Sequence, residues 1–249
     1  MKSISVIIIT LNESLKIEAC LDSVKWTDEI IVIDSGSTDN TVEICKKYTD
    51  KVYETDWPGF GPQKNRALSY ASCDWVLSID ADEVVTPELK EEIQSALLNE
   101  TFEIYDIPRL SSFCGRDLHY GGWRPDYVTR LFKNGSASFS NDLVHERLVF
   151  ETKKGKLKES LTHASIDDLD SMLSKVNAYS TAGTQRIVDK GKQVGLFSAL
   201  SHGFWIFFRT YFLRLGFLDG KEGFIMAVSA GENTYYRYLK AYYLQKSKP

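Results

Sequence analysis

Apolar residues enter this chain in short, nearly unbroken runs and then fall into helical spacing. Ser3–Ile9 and Glu29–Ile33 are rich in β-branched residues, as strands buried on both faces of a parallel sheet require. Between them Ile17, Cys20, Leu21 and Val24 recur at the interval of a helix face. After the second run, Asp39 or Asn40 can cap a helix carrying Val42, Ile44 and Cys45. Lys51–Thr55 reads as a third strand, Gln63–Ala71 as a helix and Asp74–Ile79 as a fourth strand. Thr86-Pro87-Glu88 combines an N-cap, a proline at the first helical position and an acid in the first turn, and Leu89, Ile93 and Leu97 then line one face. This alternation predicts an α/β fold with a doubly wound, mostly parallel sheet.

From Glu103 to about Phe150 the pattern turns to strands and bends, with F-C-G-R and Y-G-G-W as the turn signals. From Asp167 onward Leu169, Met172, Leu173, Val176 and Tyr179 restore helical spacing, so a helical region is expected over 161–249. K-K-G-K-L-K marks an exposed loop at the weakest boundary, near 151–166.

Composition narrows the class. With 43% apolar and 26% charged residues in 249, the chain is an ordinary globular protein. Cys20, Cys45, Cys73 and Cys114 form no C-x-x-C pair, which argues against a zinc knuckle or disulfide scaffold and suits a reducing compartment. The opening M-K-S-I-S-V-I-I-I-T reads as a first strand and not as a signal peptide. The net charge of −4 conceals a basic end: residues 186–249 hold ten Lys and Arg against four Asp and Glu. Such an end calls for an anionic partner.

Three predicted strands end in polar clusters: Thr10-Leu11-Asn12-Glu13, Asp34-Ser35-Gly36-Ser37-Thr38-Asp39, and Asp80-Ala81-Asp82. Ligands of open α/β sheets bind at these carboxyl ends, so the acids gather into one crevice. Asp80 and Asp82 project to one side if the extended conformation persists. Two such carboxylates repel unless a cation lies between them, and Mg²⁺ or Mn²⁺ suits oxygen ligands and a diphosphate. No G-x-x-x-x-G-K-[ST] is present, and Gly59-Phe60-Gly61 lacks both a preceding strand and the final glycine of a dinucleotide fingerprint.

T-L-N-E after the first strand, V-I-D-S-G-S-T-D-N-T after the second and S-I-D-A-D at the end of the fourth resemble, in order and spacing, glycosyltransferase family two with its GT-A fold. With R-L-F-K, V-H-E and G-F-L-D-G-K-E-G, the whole chain resembles more narrowly the bacterial lipopolysaccharide inner-core β-1,4-glucosyltransferases, which move glucose from UDP-glucose to a heptose. The resemblance implies a GT-A domain over 1–160, with a donor half at 1–100 and an acceptor and base half at 101–160, followed by the helical region. It implies that Thr10, Leu11, Asn12 and Glu13 line the nucleotide pocket and that Asp34 accepts from the uracil. Lys64 and Ala81 then lie near the donor, Asp80 contacts ribose or metal-bound water, and Asp82 ligates the metal.

Inversion by a single displacement needs a carboxylate to take the proton of the acceptor hydroxyl. Where relatives carry a Glu-Asp pair, this chain reads N-D-L-V-H-E-R. Glu146 is the expected base, Asp142 the second candidate, and His145 a further metal ligand or a diphosphate contact. No Q-x-x-R-W follows, which speaks against a processive synthase. In G-G-W-R-P-D, Trp123 can stack on an acceptor sugar with Arg124 and Asp126 as polar contacts; a tryptophan packed at a turn is the competing reading.

Residues 197–217 mix aromatics and large aliphatics with Arg209 and Arg214. The 16 residues between Lys192 and Arg209 span about 24 Å as a helix, short of the roughly 30 Å of a bilayer core. An aromatic, basic helix lying in the interface is expected, against the alternative of a helix packed in the core. The expected protein is thus peripheral on the inner, cytoplasmic face of the cell membrane, with a UDP-sugar donor and a lipid-linked oligosaccharide acceptor. Nucleic acid is disfavoured by the acidic crevice. The rivals are a sugar-phosphate nucleotidyltransferase, which should carry a glycine- and arginine-rich loop where T-L-N-E stands, and a non-catalytic nucleotide-binding membrane module.

Overall fold

The computed structural model describes residues 2–140 and 147–246. The expected alternation is present. In chain order come β1 (Ile4–Thr10), α1 (Ile17–Ser23), β2 (Glu29–Asp34), α2 (Thr41–Cys45), β3 (Val52–Glu54), α3 (Phe60–Ser69), β4 (Trp75–Asp80), β5 (Glu83–Val85) and α4 (Pro87–Asn99). Then follow β6 (Ile104–Phe113), β7 (Arg116–Asp117), β8 (Tyr127–Lys133), β9 (Ser138–Phe139), β10 (Leu148–Val149), β11 (Gly155–Lys156) and β12 (Leu161–Ile166). The main sheet runs β3-β2-β1-β4-β8-β6-β12-β5, parallel across β3, β2, β1 and β4 and antiparallel from β4 to β8 and β8 to β6.

Local chemistry explains the helices of this half. Thr86 caps α4 by accepting from the Leu89 N–H at 3.2 Å, and Leu89, Ile93 and Leu97 are buried as the spacing requires. At α2 the capping oxygen belongs to Asp39, which accepts from Thr41 N–H at 3.0 Å, while Asn40 makes no side-chain cap bond. The apolar strands are sandwiched as predicted: Val6, Ile8, Val32 and Leu77 pack on one side of the sheet, and Ile7, Ile31, Ile33 and Val76 on the other.

Two compact units emerge. The first comprises residues 1–109 and 126–163, the second 110–125 and 164–249. The segment 110–125, grouped by sequence with the acceptor half, is thus counted with the helices. The second unit contains α5 (Leu169–Asp189), α6 (Leu196–Phe208), a π-helical turn at Arg209–Leu213, a 3-10 turn at Gly216–Asp219 and α7 (Gly220–Lys246). The buried face of α5 carries Met172, Val176, Ser180, Thr184 and Ile187, whereas Leu169, Leu173 and Tyr179 of the predicted stripe are exposed. Ser180 and Thr184 sit on that face where α7 approaches closely: Arg237 lies over Gly183, and Thr184 Oγ1 donates to the Arg237 carbonyl at 3.1 Å.

On α6 and the turn after it, Phe197 is 82% and Phe204 69% exposed, and Leu196, Leu200, Trp205, Phe212 and Leu213 are exposed with them. The helix is therefore not a buried core element of its unit. Among the described residues no helix is long and apolar enough to cross a membrane.

At the amino end of β2, Glu29 is buried and accepts from Ser5 Oγ at 2.5 Å, from Ser72 N–H and Oγ at 2.9 Å each, and from Lys51. Burial alone pushes its carboxyl up, but Lys51 and the two serines outweigh it and hold the pKa at about 2 instead of 4.5. A depressed folded pKa stabilises above the unfolded value and fades as pH falls through the folded one. Glu29→Gln is expected to lose about 2 kcal/mol at pH 7, a figure discounted because Lys51 is partly exposed. The gap between the two proteins should shrink between pH 4.5 and 2. Urea unfolding at pH 7 and pH 3 checks this; a gap equal at both would rule the charge contribution out.

Candidate active site

The carboxyl edge of the parallel strands is where the predicted residues meet. Register places Thr10 opposite Asp34 and Ile9 opposite Asp80, so the ends of β2, β1 and β4 lie side by side. The loop after β1 is stitched to the loop after β2. Asn12, in the left-handed region at φ 55°, accepts from Thr38 N–H at 2.8 Å. Its own N–H donates to Ser37 Oγ at 2.8 Å, Glu13 N–H donates to Thr41 Oγ1 at 2.9 Å, and Ser14 N–H to Asp39 at 3.1 Å. Thr41 foremost, with Ser14, holds the Asp39 carboxyl at about 2.

Asp34 is fully buried and accepts from Gly36 N–H at 2.9 Å, Ser37 N–H at 2.7 Å and the Ser37 hydroxyl. Two carboxylate oxygens offer about four acceptor positions, and three are used. Leu11 is exposed, while Thr10 is buried with a hydroxyl oxygen that has no hydrogen-bond partner among the described residues.

The D-A-D segment departs from expectation. Strand β4 ends at Asp80, and Ala81 and Asp82 turn, so the extended geometry does not persist and the two aspartates meet different partners. Asp80 is held by two cations: Lys64 Nζ lies 3.1 Å from Oδ1, and Arg130 binds both oxygens. Burial pushes the Asp80 carboxyl up, but Arg130 first and Lys64 second hold it well below the usual carboxylate range. Lys64 itself is buried, 5.7 Å from the Phe139 ring centroid.

Asp82 pairs with a residue that sequence reasoning missed. Antiparallel pairing sets His163 opposite Glu83, and His163 Nε2 comes to 3.2 Å from Asp82 Oδ2. Burial raises the Asp82 carboxyl, and the hydrogen bond and charge of His163 more than offset it, leaving the pKa lowered. Among the described residues no group of three or more His, Cys, Asp and Glu is placed to hold a metal. Of this pair the carboxylate is the ligand type that Mg²⁺ and Mn²⁺ take, while the imidazole Nε2 is engaged with Asp82.

Beyond Asp80 the charges continue in alternation. Arg130 reaches Glu83 Oε1 at 2.7 Å, and Glu83, with no exposed side-chain surface, closes the turn by accepting from Asp80 N–H at 2.9 Å. Arg109 approaches Glu83 at 3.5 Å and grips Asp126 through Nε at 2.9 Å and a terminal nitrogen at 2.8 Å. Burial by itself would lower the Arg130 pKa, yet Asp80 and Glu83 raise it. Glu83, Arg109 and Arg130 were not expected; Glu83 and Arg130 had only their separate positions in D-A-D-E and R-L-F-K to flag them, and Arg109 lies in no motif.

The expected acceptor residues fall in both units. Asp126 lies in the first, while Trp123 and Arg124 belong to the second, where the half-buried Trp123 packs against a cluster of Phe113, Leu118, Ile166, Met172 and Met226. Asp142, His145 and Glu146 lie outside the described residues.

The family model for glycosyl transferase family 2 matches residues 5–160, which hold every element of this crevice up to the loop before β12. The chain belongs to glycosyltransferase family 2. A curated relative, the lipopolysaccharide core biosynthesis glycosyltransferase LpsC of Rhizobium meliloti, is 30% identical over 254 residues, covering 96% of this chain and 92% of its own. An uncharacterized glycosyltransferase of Rickettsia conorii is 33% identical over 243 residues, covering 91% and 85%. The structure of S. aureus TarS 1-349, also solved with UDP-GlcNAc, matches with a TM-score of 0.50 at 16% identity over 98% of this chain and 92% of that one. That likeness concerns the fold, which is GT-A with a C-terminal helical region. This family-2 chain is a glycosyltransferase.

Proposed function

We propose that this enzyme transfers glucose from UDP-glucose, with inversion, to a heptose of the lipopolysaccharide inner core. The reading is carried by the match to LpsC along nearly the full length of both chains. In it, the stitched loops after β1 and β2 receive the nucleoside: the fourth acceptor position of Asp34 takes a uracil N–H, and the uncommitted Thr10 hydroxyl bonds the donor. Asp82 and His163 would hold Mg²⁺ or Mn²⁺, which when bound offsets charge on the departing diphosphate. Asp80, kept ionised by Lys64 and Arg130, presents a fixed carboxylate edge to the ribose. Glu146 takes the proton of the acceptor hydroxyl as its oxygen bonds to the anomeric carbon and the bond to the diphosphate breaks, releasing UDP.

The acceptor is lipid-linked, and the reading places the enzyme on the inner face of the membrane. Support comes from the exposed aromatic face of α6 and from residues 190–218, which carry Lys190, Lys192, Arg209 and Arg214 and no acid. Apolar area and basic charge together suit an anionic interface. The test is one experiment: the protein, labelled UDP-glucose and heptose-terminated lipopolysaccharide in phosphatidylglycerol vesicles, with Mn²⁺ or EDTA. Label should enter the lipopolysaccharide only with Mn²⁺, and the protein should sediment with the vesicles at low salt. Transfer from another nucleotide sugar alone would replace the donor, and protein left in the supernatant would remove the membrane reading.

A further inference from the structure

The G-F-L-D-G-K-E-G segment has so far no part in the reaction, yet among the described residues its aspartate is the one buried acid of the second unit. Asp219 sits at the end of the 3-10 turn and accepts from two successive backbone N–H groups: His119 at 3.1 and 3.2 Å, and Tyr120 at 2.8 Å. The next N–H, that of Gly121, donates to the Arg214 carbonyl at 2.8 Å. Three consecutive amides of the loop are thus taken by residues 214–219, two by the Asp219 carboxylate and one by the Arg214 carbonyl. Gly122 faces the same segment at φ 90°, a backbone conformation that strains any side chain, and a Cβ there would lie 2.2 Å from an Arg214 side-chain nitrogen; behind the turn, a Cβ on Gly223 of α7 would lie 1.8 Å from the Gly216 carbonyl oxygen.

The clamped loop is the one that carries Trp123 and Arg124, and it runs without a break into Asp126, one oxygen of which Arg109 holds through Nε and a terminal nitrogen. Loops that bind ligands gain affinity when their bound conformation is held in advance. A carboxylate is the suited clamp, because it accepts several N–H bonds at once and its charge strengthens each.

We propose that Asp219 is a positioning residue for the acceptor, fixing loop 119–125 so that Trp123 and Arg124 present one surface to the incoming sugar. This rests on the reading of that loop as acceptor-binding. It acts on the acceptor and not on the donor, whose residues belong to other segments of the chain.

The experiment measures acceptor KM, donor Kd and kcat with heptose-terminated lipopolysaccharide and UDP-glucose for Asp219→Asn, Asp219→Ala and Gly122→Ala. Asp219→Asn keeps one accepting oxygen and should raise acceptor KM least. Asp219→Ala should raise it roughly ten- to a hundredfold, the scale of a small misplacement of binding groups. Gly122→Ala, which disturbs the loop from the other side of the contact, should raise it as well. In all three, donor Kd in Mn²⁺ should stay within about twofold, a split that general loss of structure would not produce. If Asp219→Ala does not fold, Asp219→Asn and Gly122→Ala decide. Transfer with unchanged acceptor KM in the folded variants overturns the proposal alone, as does a parallel loss of donor affinity. A wild-type protein that fails to use this acceptor overturns the functional reading and this proposal together.

Discussion

Glu146→Gln is expected to lower kcat by about 10²–10⁴, or roughly 3–5 kcal/mol of barrier, with UDP-glucose affinity unchanged. The amide keeps the shape and hydrogen bonding of the side chain but cannot take the proton of the acceptor hydroxyl. In the proposed reading donor binding rests on the crevice residues, so it is expected to stay unchanged. A metal-ligand role would show the opposite pattern, with donor affinity falling alongside turnover. Asp142→Asn is the control and should do less. Measured kcat and Kd for both variants separate the roles: near-normal turnover in the Glu146 variant with collapse in the Asp142 variant would move the base to Asp142.

The second large effect concerns the Asp82 and His163 pair, 3.2 Å apart. Either Asp82→Ala or His163→Ala should weaken UDP binding in Mn²⁺ by at least about 10–100-fold, since even residues supporting a ligand cost that much. In EDTA, the variants and the wild type should bind alike. Asp80→Asn should behave differently. It leaves Lys64 and Arg130 buried beside a neutral amide, with Glu83 still pairing Arg130, so its loss should appear as a lower melting temperature. Calorimetry with and without Mn²⁺, beside thermal melts, tells the two aspartates apart. Wild-type affinity that ignores Mn²⁺ would sink the metal reading, and an unaffected His163 variant would remove that residue from it.

The two aspartates show where a sequence stops being readable. Spacing alone made Asp80 and Asp82 equivalent, two acids on one side of a continuing strand. The strand ends at Asp80 because Glu83 accepts from the Asp80 N–H and closes the turn. The acids thereby meet different partners, Arg130 and Lys64 at Asp80 and His163 at Asp82. Strand β5, which brings His163 to Asp82, is three residues long, too short for any alternation to register. Of four histidines in the chain, nothing local distinguishes His163 from the others. Arg130 is equally silent: a basic residue inside an apolar strand reads as an outward-facing position, and only its burial against Asp80 and Glu83 reveals its role.

What the sequence by itself determined was whatever depends on neighbours along the chain. The order of strands and helices, the cap at Thr86, the polar strand ends and the aromatic, acid-free stretch before Asp219 all follow from local periodicity and from residue types that force a turn. Tertiary structure alone decided which opposite charges meet, which partner each aspartate finds and which face of α5 is buried. Those outcomes are set by elements distant in sequence, such as β8 against β4 and β12 against β5. In a low-dielectric interior each buried charge must find a partner, and only the folded chain brings that partner within reach.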